Sequence, residues 1–455
     1  MDAKLTNIID RMEPELIDLV SRWVSIPSVK SEAAPGAPFG KEVRRMLDTA
    51  MTDLKAMGFA VREFDGYACD AEIGQGDEAV AVLGHLDVVP AGDGWQTPPF
   101  TPVREGDRIY ARGTSDDKGP MVAAVLAMKA LKEAGVPFKR RIRLILGCDE
   151  ESGWEDMAYY AAHADMPDLG FSPDASFPVI NTEKGMVHFR LRAKAATTGL
   201  QVKRWVTGER MNVIPGAAEV LLEGGEALAE QVRAYAAQTG LPYTAAVTAD
   251  GVTVSAEGIP GHSAYPEGRR NAIGMLLQLL LALGVEGPLA TIARAVGMEH
   301  DGASLGCACA DEVSGPLTCN MGIMRVEQGD IFCTLDDRCP VSADQEALIA
   351  QTRAHLPGVE VTVVEQKEPH HVPEDSELVQ ALLNAYHEET GLPAAACATG
   401  GGTYAKVLKQ GVAFGAAFPD DEDLAHQAGE YASISGLMKS VRIFANALYR
   451  LACTD

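Results

Sequence analysis

The sequence has no apolar run long enough to span a bilayer. Its opening segment, MDAKLTNIIDRMEPELIDLVSRWV, is amphipathic and charged throughout, unlike a cleaved leader. Positive charge is scarce. There are 39 basic side chains against 64 acidic ones, a net charge of −25, which argues against nucleic acid or an anionic membrane as a partner. A cysteine framework is also missing. The nine cysteines are odd in number and show no paired spacing, and Cys307 and Cys309 stand too close together for a four-thiolate zinc site. Reduced thiols in a cytoplasmic protein are the expectation. The chain has no low-complexity linker and no long block of like charge. Its Gly400–Gly402 run lacks the full spacing of a phosphate loop, so phosphate binding is not expected.

What remains is a globular chain of 455 residues, 47% hydrophobic, with room for two or more domains. Three acidic segments stand out: GHLDVVPAGDGW at 84–95, RGTSDDKGP at 112–120 and GCDEESGW at 147–154. Each follows a hydrophobic run, at 80–87, 107–117 and 141–151, that reads as a strand stopping in a glycine-flanked turn. In an α/β sheet the carboxyl ends of strands are where ligand sites form. Three such ends would bring His85, Asp87, Asp116, Asp117, Asp149, Glu150 and Glu151 together. Uncompensated, those carboxylates repel one another, and a pair of divalent cations is the simplest compensation. Taken singly, each piece has a plainer reading as a surface hydrogen bond, a helix-dipole charge pair or a structural turn. Their joint occurrence favours a metal site.

The expected organisation follows from where the pattern changes. Helices are expected over 5–27 and 40–58. Strands and helices then alternate to about 183, with a helix at 119–134, the pattern of a mostly parallel sheet between helices. From 186 to 372 the strands alternate in polarity and are joined by turns or single helices, which suggests an inserted α+β domain with an antiparallel sheet, built as two similar halves near 186–260 and 261–372. After 375 the first pattern resumes. The expectation is therefore an α/β catalytic domain of residues 1–185 and 373–455, interrupted by a lid domain of residues 186–372.

The residue types suggest a chemistry. A carboxylate two residues from a histidine can accept its spare ring N–H and orient it as a ligand. Asp116, in a sharp turn, can bridge two metals. Of the pair Glu150 and Glu151, one can bind metal while the other faces the metal-activated water as general base.

The ordered segments GHLDVVPAGDGW, RGTSDDKGP, GCDEESGW, FSPDASFP, PGHSAYPEGRRNAI, ATGGGTYAK and AHQAGEY together resemble the co-catalytic dizinc peptidases, the family that includes aminoacylases, desuccinylases and carnosinases. The resemblance covers nearly the whole chain and is nearest to the PepV-type bacterial dipeptidases. It implies a zinc-peptidase-like fold and metal ligands His85, Asp116, Glu151, Asp174 and His426, with Asp116 bridging. It also implies Glu150 as general base, Asp87 orienting His85, and a cis peptide between Asp116 and Asp117. On the lid it implies His262 at the oxyanion, and Asn212 and Arg338, with the loop of Gly400, Gly401 and Gly402 ahead of a helix, at the substrate carboxylate. The activity so implied is hydrolysis of dipeptides with free termini by a metal-bridging hydroxide. The alternatives are a deacylase or desuccinylase of N-acyl amino acids and, less favoured, a metal-binding protein without catalysis. Two divalent ions are expected, zinc first, with manganese or cobalt as alternatives. The expected partner is a small peptide, and the expected assembly is a monomer.

Overall fold

The computed structural model describes residues 3–422 and 424–453. The chain divides into two compact units. One comprises Met1–Asn181, His371–Cys397 and Gly402–Asp455, the other Thr182–His370 and Ala398–Gly401.

The first unit is built on a mixed sheet whose strands run in the order Ala60–Phe64, Ala68–Ile73, Arg141–Gly147, Ala79–His85, Leu169–Ser172 and Gln410–Ala413. The last four of these pair in parallel. Their side chains alternate between two cores, as strand geometry demands. Val80, Val82, Ile142, Leu144 and Leu146 enter the larger core. Ala81, Leu83 and Ile145 face a smaller one with Met157, Tyr160, Tyr404 and Leu408. The larger core takes the helix Lys118–Ala134, which is buried on every side as far as Met128, together with the helix Ile434–Ala452. The helix Lys41–Ala56 presents Val43, Met46, Leu47, Ala50 and Leu54 at intervals of three and four residues, one stripe of its surface.

Two sequence expectations need correction. The helix read over 5–27 is two helices, Ala3–Ile9 and Glu13–Val24. Pro14 has no N–H and is tolerated only in a first turn, so a new helix starts there. The strand read over 107–117 is confined to Arg108–Tyr110. It belongs to a separate three-stranded sheet with Val103–Glu105 and Tyr431–Ser433. Beyond it the chain turns at Gly113 (φ 89°), so Asp116 stands in the turn leading into the helix Lys118–Ala134 and not at the end of a main-sheet strand.

The second unit is built on one eight-stranded sheet. Its order is Tyr243–Thr248, Gly251–Glu257, Ala217–Leu222, Val202–Thr207, Thr318–Glu327, Asp330–Cys339, Gly185–Lys194 and Glu360–Lys367. Every pairing is antiparallel. The strand Gly185–Lys194, first in sequence, pairs among the later strands, so the sheet is not residues 186–260 followed by 261–372. The helix Ala272–Ala282 packs its leucines into this unit's core. Asn271 caps it by accepting from the N–H groups of Ile273 and Gly274. Among the described residues, no helix is long and apolar enough to cross a membrane.

Candidate metal centre

His85 ends the strand Ala79–His85, and Gly147 ends its parallel neighbour Arg141–Gly147, so the turn after Gly147 opens beside His85. Glycines permit the crowding at these ends. A Cβ at Gly84 would lie 2.2 Å from the Asp117 carboxylate, and one at Gly147 would lie 2.4 Å from that of Asp156. The strand Leu169–Ser172 lies on the other side of Ala79–His85 and leads to Asp174. His426 arrives on a loop with a left-handed backbone (φ 64°), a conformation histidine visits more readily than most residues.

These elements assemble two groups of ligand atoms, His85 with Asp116 and Asp174, and Asp116 with Glu151 and His426. Asp116 belongs to both. Its Oδ1 lies 3.1 Å from His85 Nε2 and its Oδ2 lies 3.0 Å from His426 Nε2. His85 Nε2 is 3.7 Å from Asp174 Oδ2, and His426 Nε2 is 3.0 Å from Glu151 Oε2. Each group offers one imidazole nitrogen and two carboxylates, a donor set that suits zinc, manganese or cobalt. The peptide between Asp116 and Asp117 is cis.

The electrostatics fit cations. Burial pushes the Asp174 and Asp117 carboxyls well above their ordinary range, and the nearby Asp116 charge adds to the rise. Burial works against charge on His85, but its bonds to Asp116 and Asp87 outweigh it and raise the imidazole well above its ordinary range. His426 is pushed up to about 10 by its bonds to Asp116 and Glu151. Each histidine thus sits among the carboxylates that would share a cation with it, and ligation requires the unprotonated imidazole.

Glu150 belongs to neither group. Burial pushes its carboxyl up to about 8, and the carboxylates of Glu151, Asp116 and Asp87 oppose the lowering effect of His85. Its backbone N–H donates to Asp87 Oδ1 and that of Glu151 to Asp87 Oδ2, both at 3.2 Å. Asp87 therefore ties the strand end at His85 to the Glu150–Glu151 turn. His85 Nδ1 makes its shorter contact, 3.0 Å, with the Asp87 carbonyl, and lies 3.4 Å from the carboxylate. The carboxylate that the sequence reading set beside His85 is thus within reach of Nδ1, with the Asp87 carbonyl nearer because the strand ends at His85.

Asp149 does not join the cluster. It pairs with Lys30 Nζ at 2.6 Å and accepts from the N–H of Glu155. Asp117 accepts from the N–H of His85 at 3.2 Å. Two further carboxylates escaped the sequence reading. Glu430 accepts from the N–H groups of Gly113, Ser115 and Asp116 at 3.0, 2.9 and 3.3 Å and pairs with buried Arg112 at 2.6 Å, so it shapes the turn that presents Asp116. Asp156 accepts from the N–H groups of Cys148 and Asp149 and from the Tyr404 hydroxyl, which shapes the turn that presents Glu150 and Glu151. The one sequence signal for Glu430 was its place four residues after His426 in AHQAGEY.

The other sequence candidates, Gly402 apart, lie on the second unit. A short ladder pairs Val213 with His262 and sets Asn212 Nδ2 3.4 Å from His262 Nε2. His262 Nδ1 accepts from the N–H of Ala264, so a neutral His262 carries its proton on Nε2. Arg338 Nη1 donates to the Gly400 carbonyl at 2.9 Å. Gly401 N–H donates to Thr399 Oγ1, and Gly402 falls in the first unit. The glycine run precedes only the four-residue 3₁₀ turn Tyr404–Val407, too short to supply a helix dipole.

Over residues 81–450 the sequence matches peptidase family M20/M25/M40. It is 36% identical over 455 residues to a Bacillus subtilis (strain 168) protein named Putative dipeptidase YtjP, covering 97% of this chain and 98% of that one. A Staphylococcus epidermidis protein named Putative dipeptidase is 34% identical over 462 residues, covering 97% and 98%. Among solved structures, human carnosine dipeptidase 1 superposes with a TM-score of 0.63 at 16% identity, over 99% of both chains. The dipeptidase Dug1p of Saccharomyces cerevisiae superposes with a TM-score of 0.61 at 14% identity, over 98% of both.

Proposed function

The chain belongs to peptidase family M20/M25/M40, and from that premise we propose how it works as a metal-dependent dipeptidase. The observation that carries the proposal is the double use of Asp116, one carboxylate oxygen toward each histidine group, with Glu150 in neither. In this reading His85, Asp116 and Asp174 hold one divalent ion, and Asp116, Glu151 and His426 a second. Zinc is the first choice, with manganese or cobalt as alternatives. When bound, the ions supply Lewis acidity for the peptide carbonyl and acidify a water.

The remaining work is done by this chain's residues. Glu150, held by its N–H to Asp87, takes the proton of the attacking water and delivers it to the leaving amine. A carboxyl raised by burial suits a group that must both accept and return a proton near neutral pH. On the second unit His262 offers an Nε2–H donor of the kind that stabilises an oxyanion. Arg338 and Asn212 receive the carboxylate of a dipeptide with free termini, with the backbone at Gly400 and Gly401 alongside.

One chain carries the entire residue set, and the proposed working state is a monomer. Sedimentation at assay concentration tests this, and a dimer that loses activity on dilution would refute it. Nine unpaired cysteines suit a reducing cytoplasm. Elemental analysis of the purified protein, with a panel of dipeptides and N-acyl amino acids, tests the function. The expected result is two ions per chain and turnover of dipeptides. Turnover of N-acyl amino acids alone would make the chain a deacylase.

A further inference from the structure

The second unit holds a fully buried carboxylate, Asp336, that the reaction as described does not use. It lies on the strand Asp330–Cys339, directly opposite His188 on the neighbouring strand. Both oxygens are occupied by side chains. Oδ2 accepts from the Ser263 hydroxyl at 2.6 Å and from Arg338 Nη2 at 3.0 Å. Oδ1 lies 2.8 Å from Arg338 Nε and 3.2 Å from His188 Nε2, whose other nitrogen contacts Glu365 at 3.0 Å. The arrangement is not a nucleophilic triad, because the Ser263 hydroxyl is bonded to the carboxylate and not to the imidazole.

What Asp336 does is fix a cation. The guanidinium donates to it from Nη2, with Nε 2.8 Å from its other oxygen, and Nη1 is held by the Gly400 carbonyl. A guanidinium has five N–H donors, so this grip leaves a donor on each terminal nitrogen for a ligand carboxylate. An arginine so held loses little freedom on binding, because its plane is already set. Ser263 and His188 brace the carboxylate from two other directions.

We propose that Asp336 is the positioning residue for carboxylate recognition, setting the plane of Arg338 so that the enzyme selects substrates with a free C-terminal carboxylate. This rests on the reading of Arg338 as the carboxylate anchor. The test compares a dipeptide with its C-terminal amide and takes the ratio of their kcat/KM values as the readout. It is measured in wild type, R338K, D336N and H188A, with metal content and circular dichroism checked for each.

D336N should raise the dipeptide KM about tenfold or more, the scale of a lost charge-assisted bond. It should change kcat/KM for the amide by less than about threefold, so the ratio collapses as it does in R338K. H188A removes one brace and should lower the ratio by a smaller factor, about threefold. Equal losses on both substrates in folded D336N would make Asp336 merely structural and overturn the proposal. If D336N does not fold, H188A decides, and a wild-type ratio there overturns it. A wild-type ratio in R338K would instead remove the anchor reading itself, an outcome that the Asp336 variant alone could not produce.

Discussion

Glu430 in the first unit and Asp336 in the second are both buried carboxylates at the centre of a hydrogen-bond network, but they are loaded differently. Glu430 accepts mainly from backbone, the N–H groups of Gly113, Ser115 and Asp116. Among the described residues, Asp336 accepts from side chains alone, those of Ser263, Arg338 and His188. A carboxylate bonded to successive backbone N–H groups sets the path of a turn, and so sets where a side chain on that turn begins. A carboxylate bonded to side chains sets where a side chain ends. The first device suits Asp116, a short residue whose position is nearly that of its backbone. The second suits Arg338, whose long flexible stem leaves the guanidinium undetermined by its Cα.

The sharpest way to break this comparison is at the turn itself. Asp116→Ala should abolish turnover and release both metal ions together, since one side chain serves both groups. Elemental analysis showing one ion retained at full occupancy would mean that the two groups are independent.

Next in size is Glu150→Gln, which keeps the Asp87 tether to the backbone but removes the base. Metal content should be unchanged and kcat should fall by about 10²-fold or more. Near-wild-type turnover by the metal-loaded variant would take the proton transfer away from Glu150.

A smaller effect is expected at Glu430→Gln, which weakens the pair with Arg112 while leaving an oxygen for the backbone. Metal affinity, measured by competition with a chelator, should fall about tenfold, the scale of an outer support to a ligand. Unchanged affinity would show that the turn holds its shape without the charge.

The smallest is a stability profile for the second unit. Burial disfavours a charged His188, but its bonds to Asp336 and Glu365 outweigh this and push it up to about 9, against the lowering effect of Arg338. A raised pKa means that the stabilisation is fully present below about pH 6.5, the unfolded value, and is lost as pH rises through about 9. His188→Ala should therefore be less stable than wild type by about 1–3 kcal/mol at pH 6, with the gap closing above pH 9. Denaturant melts at the two pH values measure this, and a gap independent of pH would assign the loss to packing.

Much of the architecture was legible because local rules and tertiary outcome agree. The helices near 40–58 and 119–134 follow from apolar spacing, and the strands that end near His85 and Gly147 follow from runs that stop in glycine turns. The antiparallel character of the second unit followed from alternating polarity. Pro14 was a visible signal that the reading of 5–27 passed over. The segment 107–117 misled because its apolar and glycine pattern resembles that of its two neighbours. What bends it is a buried pair between Arg112 and Glu430, residues 318 positions apart, that no local pattern reports.

The sequence by itself determined which chemistry was available: an excess of carboxylates in three short segments, two of them after buried strands, too dense to remain uncompensated. It also carried the ordered motifs that name the family. Only the tertiary structure decided which of those carboxylates converge. Asp149 turns away to Lys30, while Asp174 and His426, which have no local signature of their own, come within reach of Asp116. The reason is that ligand geometry depends on strand order and loop return. Leu169–Ser172 lies beside Ala79–His85 because of pairing across the sheet, and the loop bearing His426 is tied at Glu430 to a turn more than 300 residues earlier. Periodicity along a chain records which face a residue takes, and it is silent on which strand becomes its neighbour.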